Sequence, residues 1–182
     1  MSTSKNVLLT GYPGSGKTTV IKRLLALASL DAGGFYTEEI RKGNTRTGFK
    51  IVTLDGEETT LAEVGFRSKH RVGKYGVNVE GIDGIAVKAI ETALESNDLI
   101  VIDEIGKMEC YSARFRDIVS ACLDSLTPVV ATIAKRGDRF IESIKKRPDI
   151  IIYEVTPATR DVLPEKLAGD LAKSRGRVDG VI

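Results

Sequence analysis

The sequence predicts an α/β domain: a central, largely parallel sheet flanked by helices, with an added antiparallel β-meander. Three observations predict it. An apolar run, Val7 to Thr10, leads through the glycine-bearing turn GYPGSGKT into a segment of helical periodicity. A second run, LIVIDE at residues 99–104, is almost uniformly apolar before it ends in two acids, which suits a strand covered on both faces. Between them, residues 33–64 are rich in β-branched and aromatic residues and are cut by Gly43-Asn44 and Asp55-Gly56.

The elements follow in order. After the first strand, Val20, Ile21, Leu24, Leu25 and Ala28 recur at helical spacing. GGFYTEEIR, GFKIVTL and TTLAEV then read as the three strands of a meander. Residues 65–84 carry five glycines and little periodicity, so a long loop is expected there, followed by a helix at about 84–95. LIVIDE is a central strand whose acidic end lies at the sheet's edge. Phe115, Ile118, Val119, Cys122, Leu123 and Leu126 trace one face of a helix. Residues 128–133 read as a buried strand, Phe140, Ile141 and Ile144 as a short helix that stops before Pro148, and residues 150–155 as another strand. Thr156-Pro157 supplies an N-cap and a first-turn proline for the last helical region, which Pro164 breaks or restarts. No repeat or linker divides the chain, so residues 1–182 are expected to form a single domain.

Composition sets the surroundings. With 182 residues, 42% of them apolar and 29% charged, the chain is neither disordered nor fibrous. A net charge of +2 is too small to indicate nucleic acid or an acidic membrane surface. Cys110 and Cys122 form no CxxC pair, and with one histidine in the chain they are expected to be reduced thiols. No stretch approaches the roughly 18–20 apolar residues of a membrane span, and the first ten residues lack the apolar core of a signal peptide. A cytoplasmic monomer is the expectation.

The first turn carries chemistry. Gly11, Gly16, Lys17 and Thr18 match G-x-x-x-x-G-K-[ST], the pattern whose backbone N–H groups wrap a phosphate chain at a helix N-terminus. The phosphate-binding stretch is therefore Gly11, Tyr12, Pro13, Gly14, Ser15, Gly16, Lys17, Thr18 and Thr19. Its glycines permit backbone angles and close approach that a Cβ would obstruct. Lys17 neutralises β- and γ-phosphate charge, and the Thr18 hydroxyl binds Mg²⁺. Asp103, at the end of LIVID, is the expected second Mg²⁺ residue. Glu104, beside it, is placed to orient and deprotonate an attacking water. A nucleoside triphosphate is the expected substrate.

Charge developing on the phosphates also calls for a further cation. Arg67, Lys69, Arg71 and Lys74 lie between Glu63 and Glu80 with no acid among them. Arg71 is the candidate catalytic residue of that run; Lys74 is the other side chain able to fold over the phosphates, and a solvated basic loop is the alternative. His70 is given no role. Lys107 either reaches the nucleotide or makes a surface ion pair. Thr132 either touches the γ-phosphate or the attacking water, or is satisfied within the sheet.

Five stretches in order, GYPGSGKTT, GGFYTEEIR, GFKIVTLDG, RVGKYGV and VIDEIGKME, resemble the small P-loop nucleoside-triphosphatase family that includes the human cancer-related nucleoside-triphosphatase. The likeness extends to VTPATRDVLP near the end. It implies a compact RecA-like α/β domain that hydrolyses the β–γ bond of several nucleoside triphosphates slowly, with Mg²⁺ and little regard for the base. It also implies that Lys17 and Thr18 serve the phosphates and metal, Asp103 the metal and Glu104 the water. Two positions depart from the family pattern: Tyr12 stands where many relatives have proline, and Ala134 follows Thr132-Ile133 where proline or histidine is expected. A phosphotransferase using the 65–82 loop as a lid, and a nucleotide-dependent RNA- or protein-binding switch, are the alternatives. A switch GTPase is disfavoured, because residues 134–138, AKRGD, lack the asparagine and the spacing of N-K-x-D.

Overall fold

A computed structural model describes residues 6–175. The remaining residues of the expected 1–182 domain, 1–5 and 176–182, lie outside the described residues. Five parallel strands make one side of the sheet. They are β1 (Asn6–Thr10), β2 (Ala32–Lys42), β7 (Leu99–Ile105), β8 (Val129–Ile133) and β9 (Ile150–Glu154), arranged side by side in the order β2-β7-β8-β1-β9, with β9 at the sheet's edge. β8 thus separates the phosphate-loop strand from the acidic strand.

The unbroken apolar runs are explained by what covers each face. Leu8, Ile100 and Ile102 point into a cluster with helices α3 (Val87–Ser96), α4 (Ala113–Asp124) and α5 (Arg139–Lys145). Val7, Leu9, Leu99 and Val101 point the other way, toward α1 (Lys17–Leu27) and α6 (Leu163–Arg175). Successive side chains alternate between the faces, so a strand covered twice must be apolar at every position. Each fully buried Leu, Ile or Phe contributes about 2 kcal/mol to this packing. Phe115 of α4 meets Phe35 of β2 edge-on, with ring centroids 6.3 Å apart, which fixes that helix against the sheet.

Antiparallel strands extend the sheet beyond β2. β3 (Thr45–Thr53) and β4 (Glu58–Val64) complete the expected meander, turned at Gly43-Asn44 and at the segment containing Asp55-Gly56. The expected long loop is not one throughout. Its residues include β5 (Arg71–Val72) and β6 (Tyr75–Val77), a hairpin whose inner strand pairs with β4. Tyr75 packs edge-on to Phe49 at 5.3 Å, an attachment between residues 26 positions apart that no local periodicity announces. The helical region after it also begins earlier than expected. The Asn78 side chain accepts the Gly81 N–H at 3.0 Å and starts a turn, α2 (Val79–Gly81), which runs through a π-helical stretch, Ile82–Ala86, into α3.

Two further expectations change. Leu126 lies beyond the end of α4 and is 95% exposed, so it is not part of that helix's buried stripe; Phe115, Val119, Cys122 and Leu123 are. Thr156-Pro157 opens a tight turn, and α6 starts at Leu163, just before Pro164. Both cysteines are free and buried. Among the described residues, no helix is long and apolar enough to cross a membrane.

Candidate functional site

Because β1, β7 and β8 run parallel, their C-terminal ends open on one side of the sheet, the side where open α/β sheets bind ligands. Residues 11–16 leave β1 there and enter α1. Gly11 takes φ +154, and a Cβ on it would stand 2.7 Å from both the Val155 carbonyl and Ser15 Oγ. Gly16, at φ +100, holds the left-handed conformation that turns the chain into the helix. The first turn of α1 has no side-chain cap and no acid, whereas Ser112 caps α4 and Asp138 caps α5. The uncapped N–H groups leave a partial positive charge suited to an anion. Lys17 Nζ donates to the carbonyls of Gly11 at 3.1 Å and Tyr12 at 3.3 Å, which holds the ammonium over the loop.

Asp103 is 2% exposed and is built into the frame of the site. It accepts from Thr18 Oγ1 and from Thr132 Oγ1, each at 2.6 Å, and from the Thr37 backbone N–H. Burial pushes its carboxyl up, and these hydrogen bonds together with Lys17 pull it back. The intervening position of β8 explains the Thr132 contact, since β8 brings that hydroxyl beside the end of β7. Thr132 is therefore committed to Asp103. Glu104, joined to Asp103 by a cis peptide, is partly exposed; among the described residues, no hydrogen bond ties its carboxylate. Burial raises its pKa most, Lys17 opposes the rise and Asp103 adds to it.

These groups border one cavity of about 330 Å³. Pro13, Gly14, Gly16, Lys17, Thr18 and Thr19 form one wall, and Asp103 and Glu104 the end. Thr37, Glu38, Glu39, Arg46 and Phe49 form the opposite wall, contributed by β2 and β3. A larger hollow, of about 560 Å³, lies where β2 begins and β3 ends, beside Asp31, Asp55 and Lys88, and contains none of the loop. Size does not select the site here; the convergence of cation, hydroxyl and carboxylates does.

The structure does not bring Arg71 to this cavity. Its guanidinium donates to the Lys74 carbonyl at 3.0 Å within the β5–β6 hairpin, and its own carbonyl accepts from Tyr111. Lys107 is exposed on the turn after β7. The basic side chain that joins Lys17 at the cavity is Arg46, which the sequence reading missed. Arg46 pairs with Glu39 at 2.8 Å, donates to Tyr75 Oη at 3.3 Å and lies 5.0 Å from the Phe49 ring centroid. Tyr75 comes from the hairpin, so that hairpin serves the site by supporting Arg46.

Glu109 was also unmarked. It is 4% exposed, on the 3₁₀ turn Glu109–Tyr111, and accepts the backbone N–H groups of Gly106 and of its own residue. A Cβ at Gly106 would meet Glu109 Oε2 at 2.8 Å and Glu104 Cδ at 3.4 Å, so the two carboxyl groups crowd one turn. Burial first, then repulsion from Glu104, raises the Glu109 pKa well above its ordinary 4.5. Folded Glu109 therefore stays protonated where the unfolded chain ionises. Its contribution to stability is present below pH 4.5 and is lost as pH rises toward the folded value, by about 1.4 kcal/mol per pH unit. Glu109→Gln removes this titration. Its melting temperature should gain on the unmodified protein by about 3–6 °C per pH unit as pH rises from 5 toward the folded value. A difference that stays flat from pH 4 to 8 would show that Glu109 is ionised in the folded protein.

The NTPase family model matches residues 6–168. The chain belongs to the NTPase family. Among relatives, it is 49% identical over 170 residues to the nucleoside-triphosphatase THEP1 of Thermotoga maritima, covering 93% of this chain and 97% of that protein. The crystal structure of THEP1 from Aquifex aeolicus superposes with a TM-score of 0.81 at 38% identity, over 89% of this chain and 96% of that one. The solution structure of a human cancer-related nucleoside triphosphatase superposes with a TM-score of 0.78 at 34% identity, over 93% and 98%. The resemblance read from the five sequence stretches is thus borne out, as is the α/β P-loop fold of the NTPase family.

Proposed function

We propose that this NTPase-family chain hydrolyses the β–γ bond of nucleoside 5′-triphosphates, ATP, GTP, CTP and UTP alike, with Mg²⁺ and slow turnover. The observation that carries this reading is the meeting of Lys17, Thr18, Asp103 and Glu104 at one cavity on the uncapped end of α1. The nucleoside-triphosphatase names of the relatives support it. The Thr18 hydroxyl and Asp103 carboxylate are paired hard-oxygen donors beside the loop, a set that fits Mg²⁺ with water completing its coordination. Held by Thr18 and Asp103, Mg²⁺ would supply charge neutralisation to the bound triphosphate.

The chain's own residues account for the remainder. The loop N–H groups and Lys17 hold the phosphates, and Tyr12, Pro13, Gly14, Ser15 and Thr19 complete the cradle. Glu104 accepts a proton from water as the water oxygen bonds to the γ-phosphorus and the bond from that phosphorus to the bridging oxygen breaks. The nucleoside diphosphate leaves with the bridging oxygen. Thr132 keeps Asp103 oriented. Arg46 takes the charge-stabilising role first expected of Arg71, and its pairing with Glu39 offsets part of its charge, which supports slow turnover. The reading is of a cytoplasmic, monomeric, single-domain enzyme with water as the acceptor.

Phosphate release from the four triphosphates with Mg²⁺ tests the proposal. Comparable turnover of all four is expected, and nucleotide binding without phosphate release would overturn hydrolysis. In the same assay Arg46→Ala should lower kcat about 100-fold, as loss of a transition-state donor does, while Arg71→Ala leaves it within about twofold. The reverse order would return the charge-stabilising role to Arg71.

A further inference from the structure

Two cavities meet across the junction of the loop and α1. The first is the one that Glu104 closes. The second, of about 190 Å³, is lined by Gly16, Thr19, Val20, Arg23, Arg160 and Asp161. Gly16 and Thr19 border both, so a ligand lying along the helix N-terminus passes from one into the other.

The polarity of the first cavity decides what enters the second. Thr18, Asp103 and Glu104 place the γ end of a triphosphate in the first cavity, so its α end leaves past Gly16 and Thr19. What is attached there is the nucleoside. We propose that the second cavity receives it, with the base lying on the guanidinium of Arg160. This subsite rests on the triphosphate reading above and adds how the nucleoside is held.

Arg160 is delivered to that place by a tight turn. Thr159 Oγ1 donates to the Glu154 carbonyl at 2.8 Å and accepts the Thr156 N–H at 2.9 Å, while the Arg160 N–H donates to the Thr156 carbonyl at 2.9 Å. Arg160 Cδ lies 3.6 Å from where a Gly16 Cβ would stand, so the side chain passes directly over the loop–helix junction. Asp161 sits between the two arginines, 3.0 Å from Arg23 and 3.9 Å from Arg160.

The same residues account for base tolerance. A guanidinium plane stacks on the face of any base, and faces carry little of a base's identity. Reading identity needs donors and acceptors aimed at the base edge. The lining has no Asn or Gln, and its one carboxylate, Asp161, is held by Arg23. A nucleotide is gripped here without being read.

Calorimetric affinities for the β,γ-imido analogues of ATP, GTP and UTP, and for inorganic triphosphate, with Mg²⁺, test the subsite without requiring turnover. Arg160→Ala should weaken all three nucleotides about tenfold, the scale of losing one stacked base, and leave inorganic triphosphate within about twofold. Arg160→Lys should lose nearly as much, because it keeps the charge but not the plane. Unchanged nucleotide affinity, an equal loss for inorganic triphosphate, full retention by Arg160→Lys, or a loss confined to one base would each overturn the subsite. Failure of the unmodified protein to bind inorganic triphosphate would instead overturn the phosphate-loop reading, and the subsite with it.

Discussion

Glu104→Gln should bind nucleoside triphosphates as tightly as the unmodified protein and release phosphate about 10²–10⁴ times more slowly, the span that a positioned general base supplies. The amide keeps the size of the carboxyl and its ability to hydrogen-bond water, but cannot take the water's proton. The contrast with Asp103 makes the expectation specific. Asp103 is engaged by Thr18, Thr132 and the Thr37 backbone, so changing it would disturb the frame of the site. Glu104 has no such ties among the described residues. Its substitution should therefore leave affinity where it was and, by removing a charge that burial and the Asp103 and Glu109 carboxyls disfavour, should not lower the melting temperature; single-turnover phosphate release should locate the loss in the chemical step. An equal fall in affinity and turnover would make Glu104 a structural or metal-binding residue, and the base would have to be sought elsewhere around the cavity.

The parts of this site that were legible in the sequence are those that lie close together along it. The glycine loop announces itself because one short stretch does the work: backbone N–H groups, a lysine and a hydroxyl at fixed spacing on one turn of helix. LIVIDE announces itself because a strand buried on both faces must be apolar throughout, so the two acids at its end stand out. What could not be read depends on pairing between distant segments. Arg46 reaches the cavity because β3 lies beside β2, and it is supported by Tyr75 from a hairpin that pairs with β4. Neither fact has a periodic signal, so the visible cluster of basic residues at 67–74 drew the assignment to Arg71. Glu109 shows the same limit in another form. An acid after GKM reads as solvent-facing, and only the fold shows that it is enclosed against the Gly106 turn. Leu126 fails oppositely: its spacing fits the helical stripe, but the helix has already ended at Asp124.

Lys17→Ala should abolish measurable turnover, with kcat/KM falling at least about 100-fold, because the charge it removes faces the phosphates in both the bound state and the transition state. Unlike Glu104→Gln, it should also weaken nucleotide binding. The two variants thus separate holding the phosphates from breaking the bond. Lys17 has a structural part as well, since Nζ bridges the carbonyls of Gly11 and Tyr12. Tyr12 is exposed and its carbonyl can be hydrated when the ammonium is gone, so the loss is mainly that of the Gly11 hydrogen bond, and the melting temperature should fall by about 2–4 °C, the shift of about 1 kcal/mol in a domain of this size. A large loss of stability in step with the loss of turnover would mean that Lys17 acts by pinning the loop. Full turnover without Lys17 would remove the phosphate-loop assignment itself. The N–H groups of an uncapped helix end can attract an anion, but a partial charge of about half a unit cannot replace a full cation against a triphosphate.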